Sequence, residues 1–198
     1  IAAALLDDVR RRGLSALTWS DGAAGLRDRA GFLRGQGVDA PDLSDQALLA
    51  DLDAWLAPAL DGKSSLGALG DLEPALRSLI PYDARRRLDQ LAPATFEAPT
   101  GSHFTIDYAA EGGPRVDVRV QELYGLATHP TVAGGAVPLT LALLSPAHRP
   151  IQLTKDLPGF WRGSWGDVRK EMRGRYPKHV WPEDPASAAP TTRAKPRG

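Results

Sequence analysis

The chain has 198 residues, of which 42% are hydrophobic and 24% charged, a composition typical of one ordinary globular domain or two small ones. No apolar run approaches the roughly 20 residues that a membrane helix needs, so no membrane-spanning segment is expected. Cysteine is absent, which excludes disulfides and thiolate metal sites, and the four histidines show no ligand spacing. We therefore expect a cytoplasmic protein. Because the chain begins at Ile1 without a signal-peptide pattern, we expect it to be a fragment of a longer polypeptide.

The net charge of zero hides an uneven distribution of charge along the chain. From Ser145 onward the sequence has eleven cations against five acids, an excess of six positive charges. The residues before Ser145 therefore carry six net negative charges. A basic end on an acidic chain indicates either a polyanionic partner or an end that docks on the acidic part, and the sequence leaves both possibilities open.

The first ninety residues predict helices separated by glycine and proline. The first helix ends in three arginines followed by Gly13, as helix C-termini often do. Further helices are expected to begin at Ser20 and Ser44, each followed by apolar residues three and four apart. DLEPALRSLI and PYDARRRLDQLA predict two more, the second opened by Pro81. The leucines of these helices and Trp55 are expected to form a helical core.

From Thr95 the apolar period changes from that of a helix to that of a strand. HFTIDYA and RVDVRVQ alternate between apolar and polar residues, and EGGP supplies a turn between them. VPLTLALL and PIQLT predict two further strands, and residues 95–98 a short one. Five short strands in about sixty residues favour a small antiparallel barrel of the oligonucleotide and oligosaccharide-binding (OB) type. The expected fold class is α+β: an N-terminal helical region, a five-stranded antiparallel OB-like barrel, then a short C-terminal helix with an extended tail.

The short C-terminal helix is expected over residues 165–173. Ser164 would be its N-cap, with Asp167 completing a capping box. Trp165 and Met172 would lie on one apolar stripe, which leaves the arginines of the helix pointing elsewhere. The sequence after the last tryptophan is rich in proline and alanine and is expected to form the extended tail.

Motifs of independent catalysis are absent. The sequence LDGKSSLG around Lys63 lacks the first glycine and the preceding strand of a phosphate-binding loop. Acidic pairs such as Asp51 and Asp53 lie on predicted helix surfaces, where solvated carboxylates are the norm. We expect no catalytic residue, no metal site and no cofactor in this chain, and no ATP hydrolysis by the chain alone.

The most informative segment is GFWRGSWGDVRKEMRGRYPKHVWPEDP, residues 159–185, in which tryptophans alternate with cations. Basic side chains neutralise phosphates and aromatic rings stack on unpaired bases, so one interpretation is a nucleic-acid interface. The other is a structural clasp, since a small domain normally buries its tryptophans. The candidate nucleic-acid-binding residues are Arg149, Arg162, Arg169, Lys170, Arg173, Arg175 and Lys178.

The carboxy-terminal sequence LLSPAHRPIQLTKDLPGFWRGSWGDVRKEMRGRYPKHVWPEDP, residues 143–185, resembles the end of the bacterial HrpB proteins, ATP-dependent helicases of the DEAH/RHA group. LTWS, DLSDQALLADLDAWL, RRRLDQLAP, TGSHFTIDY and VQELYGLATHPTVAGGAVPLTLALLSP agree with that family in the same order. The resemblance covers nearly the whole chain, and EMRGRYPKHVWPEDP is its most specific run.

The resemblance implies the carboxy-terminal portion of a helicase whose motor domains, with ATP and magnesium, precede Ile1. By analogy with related helicases, residues 1–92 would be the helical region, 93–155 the OB-like barrel, and 156–198 a basic and aromatic extension with a flexible tail. The implied function is an accessory region that contributes nucleic-acid contacts and channel structure. Its partners would be single-stranded RNA or another nucleic acid and the motor domains of the same polypeptide. The alternative is a protein-interaction module that recruits the helicase to a partner.

Overall fold

The computed structural model describes residues 1–196 and divides the chain into two compact units, each with its own core. The N-terminal unit is Ile1–Ala94 and the C-terminal unit is Thr95–Gly198. Among the described residues, no helix is both long and apolar enough to cross a membrane.

The N-terminal unit is helical, and none of its residues lies in a strand. Its α-helices are α1 (Ala2–Arg12), α2 (Asp21–Gly35), α3 (Asp45–Ala50), α4 (Leu52–Trp55), α5 (Glu73–Ser78) and α6 (Tyr82–Leu91). The N-caps predicted for α2 and α3 are confirmed, because the Ser20 and Ser44 hydroxyls accept hydrogen bonds from the third backbone N–H that follows each. The helix expected after Ser44 is interrupted at Asp51, which separates α3 from α4.

The core of the N-terminal unit is formed by leucines and one tryptophan, as predicted. Leu26, Leu33, Leu48 and Leu52 are buried, and buried Trp55 donates its indole N–H to the Leu48 carbonyl at 2.9 Å. Helical spacing places these apolar side chains on the inner faces of α2, α3 and α4, and their burial supplies most of the stabilisation of such short helices.

The C-terminal unit combines short strands with two helices. Its elements are β1 (Thr95–Glu97), β2 (His103–Thr105), β3 (Arg115–Arg119), β4 (Thr131–Val132), β5 (Val137–Pro138), β6 (Thr140–Leu144), β7 (Pro150–Thr154), α7 (Leu157–Arg162) and α8 (Trp165–Arg175). Each of the five predicted strands overlaps an observed one, but β4 was not predicted and the strand predicted over residues 137–144 is divided between β5 and β6.

The predicted five-stranded antiparallel OB-like barrel is wrong. In the described chain the strands form three small sheets, with the pairings β1-β2, β3-β6-β7 and β4-β5. β3 and β6 are parallel, with Val116 opposite Leu141 and Val118 opposite Leu143, whereas β6 and β7 are antiparallel. A closed barrel requires two neighbours for every strand, and β7 pairs on one side only within the described residues.

The parallel pairing has a physical cause in the chain between β3 and β6. Parallel neighbours cannot be joined by a tight hairpin and need a long crossover. Residues 120–139 provide one, in which a buried 3₁₀ turn at Val120–Leu123 precedes the β4-β5 hairpin. Central β6 buries Leu141, Ala142 and Leu143 in succession, as a strand covered on both faces does.

The chain after Trp181, which we call the closing segment (residues 182–196), has only one short 3₁₀ turn but is held by backbone hydrogen bonds. Within the C-terminal unit, the Thr191 N–H donates to the Gln121 carbonyl at 3.1 Å and the Lys195 N–H to the Lys178 carbonyl at 2.7 Å. The predicted extended tail therefore contacts the 3₁₀ turn after β3 and the loop after α8.

Candidate nucleic-acid interface

Two helices, rather than the one predicted, carry the basic and aromatic segment. Asp156 is the N-cap of α7, and its side chain accepts a hydrogen bond from the Gly159 N–H at 3.0 Å. Proline is compatible with the first turn of a helix, so Pro158 does not interrupt α7. α8 begins after Ser164 as expected, but the predicted capping box is wrong, because the Ser164 side chain makes no capping hydrogen bond.

Trp165 lies among four other aromatic rings. Its centroid is 5.4 Å from that of Trp161, 5.8 Å from Tyr124, and 6.2 Å from both Phe160 and Trp181. The contacts with Trp161, Tyr124 and Phe160 are edge-to-face, the arrangement that aromatic quadrupoles favour. All five side chains are buried, and Trp165 is only 2% exposed. The structural-clasp interpretation of the tryptophans is thereby confirmed.

Polar atoms of this aromatic cluster are anchored to backbone carbonyls. The indole N–H groups donate from Trp161 to Leu126 at 2.9 Å, from Trp165 to Pro182 at 3.0 Å, and from Trp181 to Tyr176 at 2.8 Å. The Tyr124 hydroxyl donates to the Val180 carbonyl at 2.9 Å, and burial raises the pKa of Tyr124 above its ordinary value. The cluster therefore fixes α7, α8 and the start of the closing segment to one another, and its buried rings present no face to an unpaired base.

The predicted cations behave differently from the aromatics. Five of the seven are exposed, and among the described residues only the other two make a side-chain hydrogen bond or ion pair. These are Arg149, Arg162, Lys170, Arg173 and Lys178. They are available for a polyanion in this structure.

The other two predicted cations have partners within the C-terminal unit. Arg169 is half-buried, and its Nε donates to the Trp181 carbonyl at 2.7 Å while its Nη2 lies 3.9 Å from the Glu183 carboxylate. Arg175 forms an exposed pair with Glu171 at 3.4 Å, one helical turn away. Arg169 therefore joins α8 to the Trp181 backbone, a role that could not be predicted from its place outside the apolar stripe of the helix.

A cavity of about 390 Å³ opens between α8 and the closing segment. Three of its lining residues are cations, one is a histidine and the rest are apolar: Arg169, Arg173, Lys195, His179, Pro177, Val180, Trp181 and Pro182. No acid lines this cavity in the described chain, so we call it the basic cleft. The structure brings together only Arg169 and Arg173 of the seven predicted residues here.

Two residues of the basic cleft, Lys195 and His179, were missed by the sequence analysis. The sequence predicts an extended, flexible tail around Lys195, and no local pattern shows that this tail returns to α8. The Nδ1 atom of His179 is buried and has no hydrogen-bond partner among the described residues. Burial, with a smaller contribution from the Arg119 charge, lowers the pKa of His179 below its ordinary value, which favours the neutral imidazole.

A buried carboxylate lies elsewhere in the C-terminal unit, in the turn after β3. Glu122 accepts a hydrogen bond from the Thr100 hydroxyl at 3.1 Å and lies 3.4 Å from Arg119. These contacts satisfy a carboxylate that would otherwise be costly to bury. No group of three histidine, cysteine or acidic side chains in residues 1–196 is arranged to hold a metal ion.

A family model described as the C-terminal region of ATP-dependent helicases, HrpB_C, matches residues 55–185. The chain belongs to the HrpB_C family. This HrpB_C chain is 48% identical to the ATP-dependent RNA helicase HrpB of Escherichia coli strain K12, in a match that covers 97% of the chain and 24% of that helicase. The resemblance predicted from the sequence is confirmed.

Two solved structures are similar to this HrpB_C chain. One is the crystal structure of the E. coli DExH-box NTPase HrpB, with a TM-score of 0.87 and 47% identity over 97% of the chain. The other is that of the E. coli DEAH/RHA helicase HrpB, with a TM-score of 0.76 and 44% identity over 91% of the chain. The chain spans only about a quarter of these proteins, 24% and 23% of their lengths.

Proposed function

We propose that this chain is the accessory carboxy-terminal region of an ATP-dependent RNA helicase, where it contributes nucleic-acid contacts and channel structure. ATP and magnesium would be bound, and ATP hydrolysed, by motor domains of the same polypeptide that lie outside this chain. The partner would be single-stranded RNA or another nucleic acid, and the helicase would act in the cytoplasm. Membership of the HrpB_C family and the names of the similar proteins support this assignment.

The observation that carries the proposal is the set of exposed, unpaired cations in the C-terminal unit. A surface cation that already has a carboxylate partner gains little from a phosphate, because it must give up that partner. Arg149, Arg162, Lys170, Arg173 and Lys178 have no such partner among the described residues. Each can neutralise a phosphate and release a condensed counterion, which makes binding favourable and dependent on salt.

The aromatic cluster supports the same proposal indirectly. Because Trp161 and Trp165 are buried and hydrogen-bonded, α8 is held in one position and its outward cations keep a fixed spacing. A rigid element loses less conformational entropy when it binds a strand than a flexible one does. The tryptophans would therefore position α8, and the exposed cations would contact the strand.

The experiment that tests the proposal is an anisotropy titration of the 198-residue chain with fluorescent single-stranded RNA, repeated between 50 and 200 mM salt. A Lys170→Ala, Lys178→Ala double variant should bind more weakly. If both side chains contact phosphates, its salt slope should be flatter by about 1.4, since each contact to a single strand contributes roughly 0.7. Lys63→Ala removes an exposed, unpaired charge from the N-terminal unit and is the control. Binding that does not depend on salt, or equal losses in both variants, would refute the proposal.

The alternative of a protein-interaction module is favoured by one observation. β7 pairs with β6 on one side only, and Leu153 on β7 is 57% exposed. An open strand edge with an exposed apolar side chain can accept a strand from another protein. If the titration at 50 mM salt shows no RNA binding, this alternative replaces the first proposal.

A further inference from the structure

The cations of the basic cleft are arranged differently from those on the open surface of α8. Arg173 comes from the last turn of α8, and Lys195 comes from the closing segment, yet both line one cavity. Among the described residues, the ion pairs of the C-terminal helix and of the closing segment involve Arg169 and Arg175, and neither Arg173 nor Lys195 takes part in one. Like charges that share a cavity repel each other. In the described chain the Glu183 carboxylate lies 3.9 Å from Arg169 and no acid lines the cavity, so an anion bound between Arg173 and Lys195 would offset their mutual repulsion.

We propose that the basic cleft binds the phosphate group of one nucleotide, with Arg173 and Lys195 as its two charged ligands. Arg169, whose guanidinium is held by the Trp181 carbonyl, forms the fixed wall beside them. In naming RNA as the expected source of that phosphate, the inference rests on the proposed function. A free nucleotide would offer the same chemistry.

The size and lining of the cleft suit a nucleotide better than a small inorganic ion. Its volume of about 390 Å³ lies within the roughly 300–1,000 Å³ that is usual for small-molecule sites. Beside the cations, the lining includes the apolar residues Pro177, Val180 and Pro182, none of which is fully buried. Such a surface can receive a ribose while the phosphate faces the cations.

The closing segment completes the site. Its backbone is fixed beside Lys178 by the hydrogen bond from the Lys195 N–H, so Lys195 is placed opposite α8 by folding rather than by chance contact. A strand that merely adsorbs to surface cations would not distinguish Lys195 from Arg193. Arg193 is exposed on the same segment, carries the same charge and does not line the cleft.

The first experiment is calorimetric titration of the 198-residue chain with adenosine monophosphate at low salt in a buffer without phosphate. Arg173→Ala and Lys195→Ala should each weaken binding by about tenfold, the loss expected for one charge-assisted contact. Arg193→Ala should leave the affinity unchanged, and inorganic phosphate should compete with the nucleotide. Both cleft side chains are exposed, so thermal melting should show all three variants folded. No measurable binding, or equal losses in the cleft variants and Arg193→Ala, would overturn the proposal.

The second experiment separates the two sources of phosphate. Fluorescent single-stranded RNA is titrated with the same variants, with and without saturating adenosine monophosphate. If RNA supplies the phosphate, the nucleotide should weaken RNA binding, and the cleft variants should bind RNA less tightly than Arg193→Ala. Nucleotide binding without any RNA binding would keep the phosphate site, assign it to a free nucleotide and refute the proposed RNA contact. If the affinity for RNA changes neither when the nucleotide is added nor in the cleft variants, this inference is overturned and the proposed function is left intact.

Discussion

Trp165→Ala is the substitution that most directly tests how the C-terminal unit is held together. The side chain is 2% exposed and contacts Tyr124, Phe160, Trp161 and Trp181. A buried aromatic side chain removes roughly 150–250 Å² from water, and truncating one to alanine usually costs about 3–5 kcal/mol of unfolding free energy. We expect a loss in that range.

The edge-to-face contacts and the indole hydrogen bond place the expected loss toward the upper end. Each aromatic pair adds roughly 0.5–1.5 kcal/mol beyond burial. The Pro182 carbonyl would lose its donor, but Pro182 is half-buried and water can replace the indole N–H in part. Trp165→Phe keeps a ring in the cluster and loses the donor, so it should cost only about 1–2 kcal/mol.

Hydrogen exchange of backbone amides measures these losses within the C-terminal unit. If amides of α7, α8 and β6 exchange through cooperative opening, Trp165→Ala should speed their exchange by between about two and four powers of ten. Trp165→Phe should speed the exchange of these amides by roughly one power of ten. A Trp165→Ala variant whose exchange and melting match those of the unsubstituted chain would refute the assignment of Trp165 as the centre of the cluster.

Three further predictions concern other features of the chain. Arg169→Ala should lower the free energy of unfolding by about 1–3 kcal/mol, because it removes the charged donor that bonds the Trp181 carbonyl. Exposed Arg173 has no such bond, so Arg173→Ala should change the free energy of unfolding by less than about 0.5 kcal/mol. Equal melting temperatures of the two variants would contradict this prediction. Burial and Arg119 lower the pKa of His179 from 6.5, so the unfolded chain binds more protons in the window just below that value. Stability in phosphate-free buffer should therefore fall as the pH drops below about 6.5, and His179→Gln should flatten the profile. A clean preparation of the 198-residue chain should hydrolyse no ATP, since the sequence lacks a phosphate-binding loop, and measurable phosphate release would contradict that expectation.

Local features of the fold could be predicted from the sequence, because their causes lie within a few residues. Ser20 and Ser44 cap helices through hydrogen bonds that span three residues. Gly13 ends α1 with a φ of 81°, a conformation that glycine adopts without steric cost. α7 is the local exception: no helix was predicted there, although a proline in the first turn and an Asp156 cap are both helix signals.

Strand pairing failed as a prediction because it joins residues far apart in the chain. Alternation shows which residues form a strand and which face is buried, but not which strand lies beside it. One signal against an antiparallel barrel was present, however. LALL, residues 141–144, is an uninterrupted apolar run, and strands covered on both faces read in this way more often than strands of small antiparallel sheets. Weighing that run against the alternating RVDVR would have favoured a central β6.

The candidate site shows the same limit, since the partners of a charged side chain can lie far away in the sequence. Composition showed that the segment is basic, but it did not show which of the seven cations have partners in the fold. Arg169 is tied to the Trp181 carbonyl, Arg175 has its Glu171 partner, and five cations have neither. Lys195, outside the predicted set, lines the cleft with Arg173 only because residues 182–196 return to α8. What distinguishes these side chains is the presence or absence of a competing partner in the fold. A cation that is already bonded to the protein stabilises the unit, whereas a pair of neighbouring cations without partners gives a phosphate its most favourable binding free energy.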